Sequence, residues 1–251
     1  MNLGLLLSLA GLPLFAQPLS TSAAQPLVSS ATAIPSFLAL PSTAPVTAAL
    51  VLKGFERLDL ALKTVRADFS QQLRWEGSGA TQRVAGKFYY QAPQLFRIEQ
   101  SSPEAQVTVS DGRHLWVWRV STNQVIKTRV DVWRKSEPLA QNLLDLGHYA
   151  SLLSRYDLVR ATSAPAGDGG RDIEIELKPK ETKSSFLLTL WLSGRDFFPH
   201  DCDLSVGDLA VHSRFSDVRF NEALPESLFR FRPPPDAEVF DNPALPGVVN
   251  H

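Results

Sequence analysis

The chain has 251 residues, 44% of them hydrophobic and 20% charged, with a formal net charge of -1. That is enough apolar material for one sizeable core, and there is no basic excess to hold nucleic acid or an anionic membrane surface. Cys202 is the single cysteine, which excludes an intrachain disulfide and any multi-thiolate zinc site.

Residues 3–16, LGLLLSLAGLPLFA, form an apolar run too short for a comfortable membrane span and of the length of a secretory signal. Residues 1–24 are therefore expected to be a leader, with Ser22-Ala23-Ala24 offering small residues before a cut; no Lys or Arg precedes Lys53. No cysteine lies near the cut, so an amino-terminal acyl anchor is excluded. From residue 25 to 47 the chain is Ala, Pro, Ser and Thr rich and uncharged, a composition that builds no packed core and reads as a linker. The folded domain is expected over residues 48–242, followed by a tail, 243–251.

In ALVLKGFERLDLALK, Val51, Phe55, Leu58 and Leu62 recur at helical spacing with charges off the stripe, which predicts an amphipathic helix. The period then drops to two: Val65, Ala67, Phe69, Gln71, Leu73 and Trp75 share one side of a strand. Strands follow over 83–90, 95–100, 106–110, 114–120 and 124–130. Within them Phe88 and Tyr90 oppose Tyr89, and Trp116 and Trp118 oppose Leu115 and Val117. Both faces are apolar. Such a sheet packs helices on one face, curls around a cavity, or does both. Turns fall at Ala92-Pro93-Gln94 and Ser110-Asp111-Gly112. Ser136-Glu137-Pro138 signals a helix start, with Leu139, Leu143 and Leu146 on one face up to Gly147. Tyr149, Leu152 and Leu153 begin a second short helical piece. Strands resume over 156–161, 171–178, 184–193, 200–206 and 209–220. SFLLTLWL, at 185–192, is apolar on both faces and belongs in mid-sheet.

No GxSxG elbow, P-loop, GxGxxG turn or HExxH motif is present, so the common motif-bearing chemistries lack support. His200, Asp201, Cys202, Asp203, Asp208 and His212 offer metal-ligand types. As a strand, however, this stretch puts Cys202 and Leu204 opposite Asp201 and Asp203, which reads as a solvated strand edge. No metal site, cofactor or catalytic residue is expected.

The order and spacing of FSQQ (69–72), GKFYYQAPQLFRIE (86–99), VSDGRHLWVW (109–118), ELKPK (176–180) and FRFRPPPDAEVFD (229–241) resemble the outer-membrane lipoprotein carrier (LolA) family. The resemblance covers about residues 48–242. It implies an α+β fold, an incomplete antiparallel β-barrel whose hydrophobic concave face is covered by lid helices. It further implies a periplasmic, monomeric, non-enzymatic carrier of acylated lipoproteins, with an inner-membrane ABC transporter and an outer-membrane receptor as partners. The expected acyl-chain cavity comprises Phe69, Phe88, Tyr90, Phe96, Ile98, Trp116, Trp118 and Leu188; Leu139, Leu143 and Leu146 are expected in the lid. Ala92 departs from the family, which often carries an arginine there to hold the lid. A carrier of another envelope lipid or glycolipid, or a lipid-sensing regulator of the same fold, is the alternative; a secreted hydrolase is the more distant one.

Overall fold

The computed structural model describes residues 46–136, 147–165, 170–180 and 186–241. The leader, the linker up to residue 45, the predicted lid leucines Leu139, Leu143 and Leu146, and the tail from residue 242 lie outside the described residues.

Helix α1 (Ala48–Ala61) opens on Thr47, whose hydroxyl accepts from Leu50 N at 3.2 Å, an N-cap that satisfies one orphan donor of the first turn. Its stripe of Val51, Phe55 and Leu58 is buried. Among the described residues, twelve strands follow in one sheet: β1 (Thr64–Trp75), β2 (Thr81–Gln91), β3 (Leu95–Ser102), β4 (Gln106–Asp111), β5 (His114–Arg119), β6 (Gln124–Arg129), β7 (Tyr156–Pro165), β8 (Arg171–Pro179), β9 (Phe186–Ser193), β10 (Pro199–Val206), β11 (Leu209–Phe220) and β12 (Glu238–Asp241). The spatial order is β12-β6-β5-β4-β3-β2-β1-β11-β10-β9-β8-β7. Every pair is antiparallel except β12 with β6. Because β7 and β12 end the order without pairing to each other, the sheet is an open barrel.

The meander breaks between β11 and β12 and between β6 and β7; the described residues of the latter connection form helix α2 (Val130–Ser136), a 3-10 turn (Tyr149–Ser151) and helix α3 (Leu152–Arg155). Helix α2 precedes Ser136, in a stretch where the sequence suggested no helix: Val130 and Trp133, three apart, are both buried and share a helical face, and Trp133 packs on Phe96 with ring centres 6.4 Å apart. The helix expected from Ser136 onward lies outside the described residues. The β6–β7 connection is tied to α1: Asp59 accepts from Tyr149 N at 2.8 Å and Ala150 N at 2.9 Å, and Phe55 stacks on Tyr149 at 5.7 Å. Asn221 clamps the other end of α1, accepting from Lys63 N at 2.9 Å and donating to Ala61 O at 3.2 Å.

The two apolar faces of the strands have two separate covers. On the concave face, α1, the 3-10 turn and the β9–β10 loop bury Val65, Phe88, Leu115, Val117, Ile173, Leu177 and Leu192 in one cluster. On the convex face, residues from 222 onward strap β3 to β6. Phe229 is buried there, Arg97 Nη1 donates to Leu228 O at 3.3 Å, Phe231 packs on Trp116 at 5.6 Å, and β12 joins β6. Val109 and Val125, fully buried but outside the main cluster, lie under this strap side by side with Trp116 and Trp118 in the register.

Candidate functional site: an apolar cavity on the concave face

One register row crosses four strands as Leu190 (β9), Cys202 (β10), Ser213 (β11) and Gln71 (β1). Since side chains alternate along a strand, a row of paired residues shares one face, and this row forms the floor of a cavity. Phe69 and Phe215, themselves paired, and the Phe88–Ile98 pair form the wall on one side. Leu188 completes the sheet side, and Tyr149 and Leu152 close it from above. Gly86 lets Phe69 lie flat, since a Cβ there would come within 2.8 Å of the Phe69 ring. The cavity measures about 60 Å³. Small-ligand pockets start at roughly 300 Å³, so this is a nearly collapsed space, filled by its own aromatic side chains.

A polar cluster backs the cavity on the opposite face of the sheet, since Asp201 and Arg214 alternate with Cys202 and Ser213. Strands β10 and β11 pair only as far as Asp201 and Arg214; beyond them β11 runs on to Phe220 paired with β1. Phe198 fills the resulting splay, 6.0 Å from Phe215 and 5.0 Å from Phe220. At the last pair, Asp201 is buried and accepts from Arg214 Nε at 2.8 Å. His200 sits between two carboxylates, with Nδ1 2.9 Å from Asp201 and Nε2 3.2 Å from Asp172. A buried carboxylate needs such partners.

The cavity wall offers binding surface rather than a reacting pair. Burial first, then Asp203 and Asp201, push the Cys202 thiol up to about 12, which keeps it protonated and a poor nucleophile. Ser213 Oγ accepts from Gln71 Nε2 at 3.0 Å, and both nitrogens of His200 face carboxylates. Burial, then Asp59 and Tyr90, likewise hold the Tyr149 hydroxyl well above its ordinary range. Among the described residues, no three His, Cys, Asp or Glu side chains are arranged to hold a metal ion, and no helix is long and apolar enough to cross a membrane.

Of the residues expected to line a cavity, Phe69, Phe88, Ile98 and Leu188 meet on its wall. Tyr90 and Phe96 are on the concave side and buried, but Phe96 packs under Trp133 and the Tyr90 hydroxyl donates to Pro93 O at 3.4 Å, away from the lining. Trp116 and Trp118 are on the opposite face. Leu115 and Val117 take the concave positions of β5, while Trp116 lies beneath Phe231 with Lys127 Nζ 5.0 Å from its ring centre, and Trp118 Nε1 donates to Asn123. The His200–Asp203 stretch is no strand edge: β10 lies between β9 and β11, with Cys202 facing the cavity. Ala92 donates its backbone N–H to Lys63 O at 2.8 Å.

Sequence reasoning missed Phe197 and Phe198, which the β9–β10 loop inserts into the core at 3% and 2% exposure. It also gave no cavity role to Phe215. The signal for the loop was faint: two adjacent phenylalanines in a turn, where exposure is the default. Gln71 and Ser213 were legible as polar residues in an apolar alternation.

The family model for the outer membrane lipoprotein carrier protein LolA matches residues 61–232. An outer-membrane lipoprotein carrier protein of Pseudomonas putida is 30% identical over 179 residues, covering 70% of this chain and 81% of that one. One of Pseudomonas fluorescens is 33% identical over 180 residues, covering 70% and 82%. Among solved structures, an uncharacterised conserved protein from Thermus thermophilus superposes with a TM-score of 0.51 at 18% identity, covering 78% of this chain and 99% of that one, which shows a shared fold.

Proposed function

The chain belongs to the outer membrane lipoprotein carrier protein (LolA) family, and from that premise we propose that it is a soluble periplasmic carrier that shields the acyl chains of lipoproteins. In this reading it receives them from an inner-membrane ABC transporter and delivers them to an outer-membrane receptor. The observation that supports it best is the apolar cavity on the concave face, walled by Phe69, Phe88, Ile98, Leu188 and Phe215.

The energetics fit a transient host. Burial is worth about 0.8 kcal/mol per methylene, so one long acyl chain offers roughly 10 kcal/mol towards displacing the side chains that fill the cavity. Opening is then driven by the cargo itself, and an empty carrier returns to the collapsed state without exposing a large apolar patch.

The test is comigration on size exclusion of the processed protein with a fluorescent palmitoylated peptide, beside the same peptide without its acyl chain and a fluorescent phospholipid. The expected result is binding of the acylated peptide alone. Binding of the phospholipid, with none of the acylated peptide, would overturn the lipoprotein reading in favour of another envelope lipid.

A further inference from the structure

The floor of the cavity carries one polar atom with no partner. Gln71 is 5% exposed and stands between Phe69 and Leu73 on the concave side of β1. Its Nε2 donates to Ser213 Oγ at 3.0 Å, while its Oε1 is buried with no hydrogen-bond partner. Gln71 and Ser213 face each other in the register and both line the cavity. A buried acceptor left unpaired is destabilising, and native proteins retain few of them. Apolar residues fill the neighbouring positions of this row, Leu190, Cys202 and Val84, so the alternation would accept a leucine at position 71.

Resting on the carrier reading, we infer that Gln71 selects the acyl linkage of the cargo: its Oε1 accepts a hydrogen bond from the N–H of an amide-linked acyl chain. An acyl chain is joined to its head through an ester or an amide, and only the amide carries a donor. The ester oxygen in the same place would set an acceptor against Oε1. The position suits a linkage group. Gln71 and Ser213 are the paired polar residues of the floor, while Phe88, Ile98 and Leu188 supply the apolar part for the methylenes. Ser213 keeps its own O–H, which serves the linkage carbonyl and fixes which way the group points. A site built to bond an N–H discriminates against the analogue lacking it, because its polar atom is then left unpaired.

The experiment compares two peptides differing in one atom: palmitoyl-glycyl peptide, with an amide linkage, and palmitoyl-oxyacetyl peptide, with an ester. Dissociation constants are measured for the unmodified protein and for Gln71→Leu. The unmodified protein is expected to bind the amide roughly tenfold to a hundredfold more tightly than the ester. Gln71→Leu is expected to bind both alike, with the change falling on the amide. Equal affinities in the unmodified protein overturn the inference without any variant, and so does a preference that persists in Gln71→Leu. Binding of neither peptide by the unmodified protein overturns the carrier reading itself, a result separable from equal binding of both.

Discussion

Cys202 is a reporter built into the cavity floor, and its chemistry sets a quantitative expectation. Burial, with Asp203 and Asp201 adding to it, raises the thiol from 9.0 to about 12. At pH 8 this leaves roughly a thousandfold less thiolate than an ordinary thiol carries, and the thiolate is the species that attacks a disulfide reagent. Steric closure by Tyr149 and Leu152 slows the reaction further. In the assay, DTNB is added to the folded and the urea-unfolded protein at pH 8 and absorbance is followed in time. The folded thiol is expected to react at least about a thousandfold more slowly, and saturating palmitoylated peptide should slow it again by covering the floor. The rate should keep climbing with pH beyond 9, without the plateau an ordinary thiol reaches. The same shift has a sign for stability. Because the folded state holds this proton more tightly than the unfolded chain, its contribution is complete below pH 9 and is lost as pH rises from 9 towards about 12, at a limiting slope of about 1.4 kcal/mol per pH unit. Cys202→Ala should lack that slope. Folded-state labelling at the unfolded rate, or a plateau just above pH 9, would refute both the closure and the shift.

The remaining expectations address separate parts of the structure. Phe215 is only partly buried on the cavity wall; Phe215→Glu should abolish binding of palmitoylated peptide with the circular dichroism unchanged, and retained affinity would remove Phe215 from the site. Gly54 has no room for a side chain, since a Cβ there would run into the ring of Phe197, whose own φ is 64°. Gly54→Val should lower stability by about 1–3 kcal/mol in urea unfolding, and an unchanged midpoint would show that the β9–β10 loop yields freely. Asp59→Ala strips the acceptor from Tyr149 N and Ala150 N and should destabilise by about 1–3 kcal/mol, with faster amide exchange at those two positions as the specific readout. Phe229→Ala, in the convex strap, should lower stability by about 3–5 kcal/mol and leave peptide affinity unaltered; the reverse outcome would place cargo on the convex face.

The sequence by itself determined α1, the strands β1 to β11 and the class of fold, but not α2 or β12. Strict alternation in β1 and the helical stripe of Val51, Phe55 and Leu58 are local patterns, and each was legible because one residue type faces one environment along a single element. The turns at Pro93 and Gly112 were equally local, the latter at φ 85°. What the sequence could not decide was which of two apolar faces looks inward. In β5 the alternation of Leu115, Trp116, Val117 and Trp118 is symmetric in hydrophobicity, and the expectation had put the tryptophans in the cavity. Tertiary structure reverses this, because the strap carrying Phe229 and Phe231 comes from more than a hundred residues away and covers the tryptophan side. The cavity floor is a non-local object of the same kind: Leu190, Cys202, Ser213 and Gln71 become neighbours only when β1 pairs with β11. Pairing register between distant strands is set by the summed burial of whole faces, which no window of the chain contains.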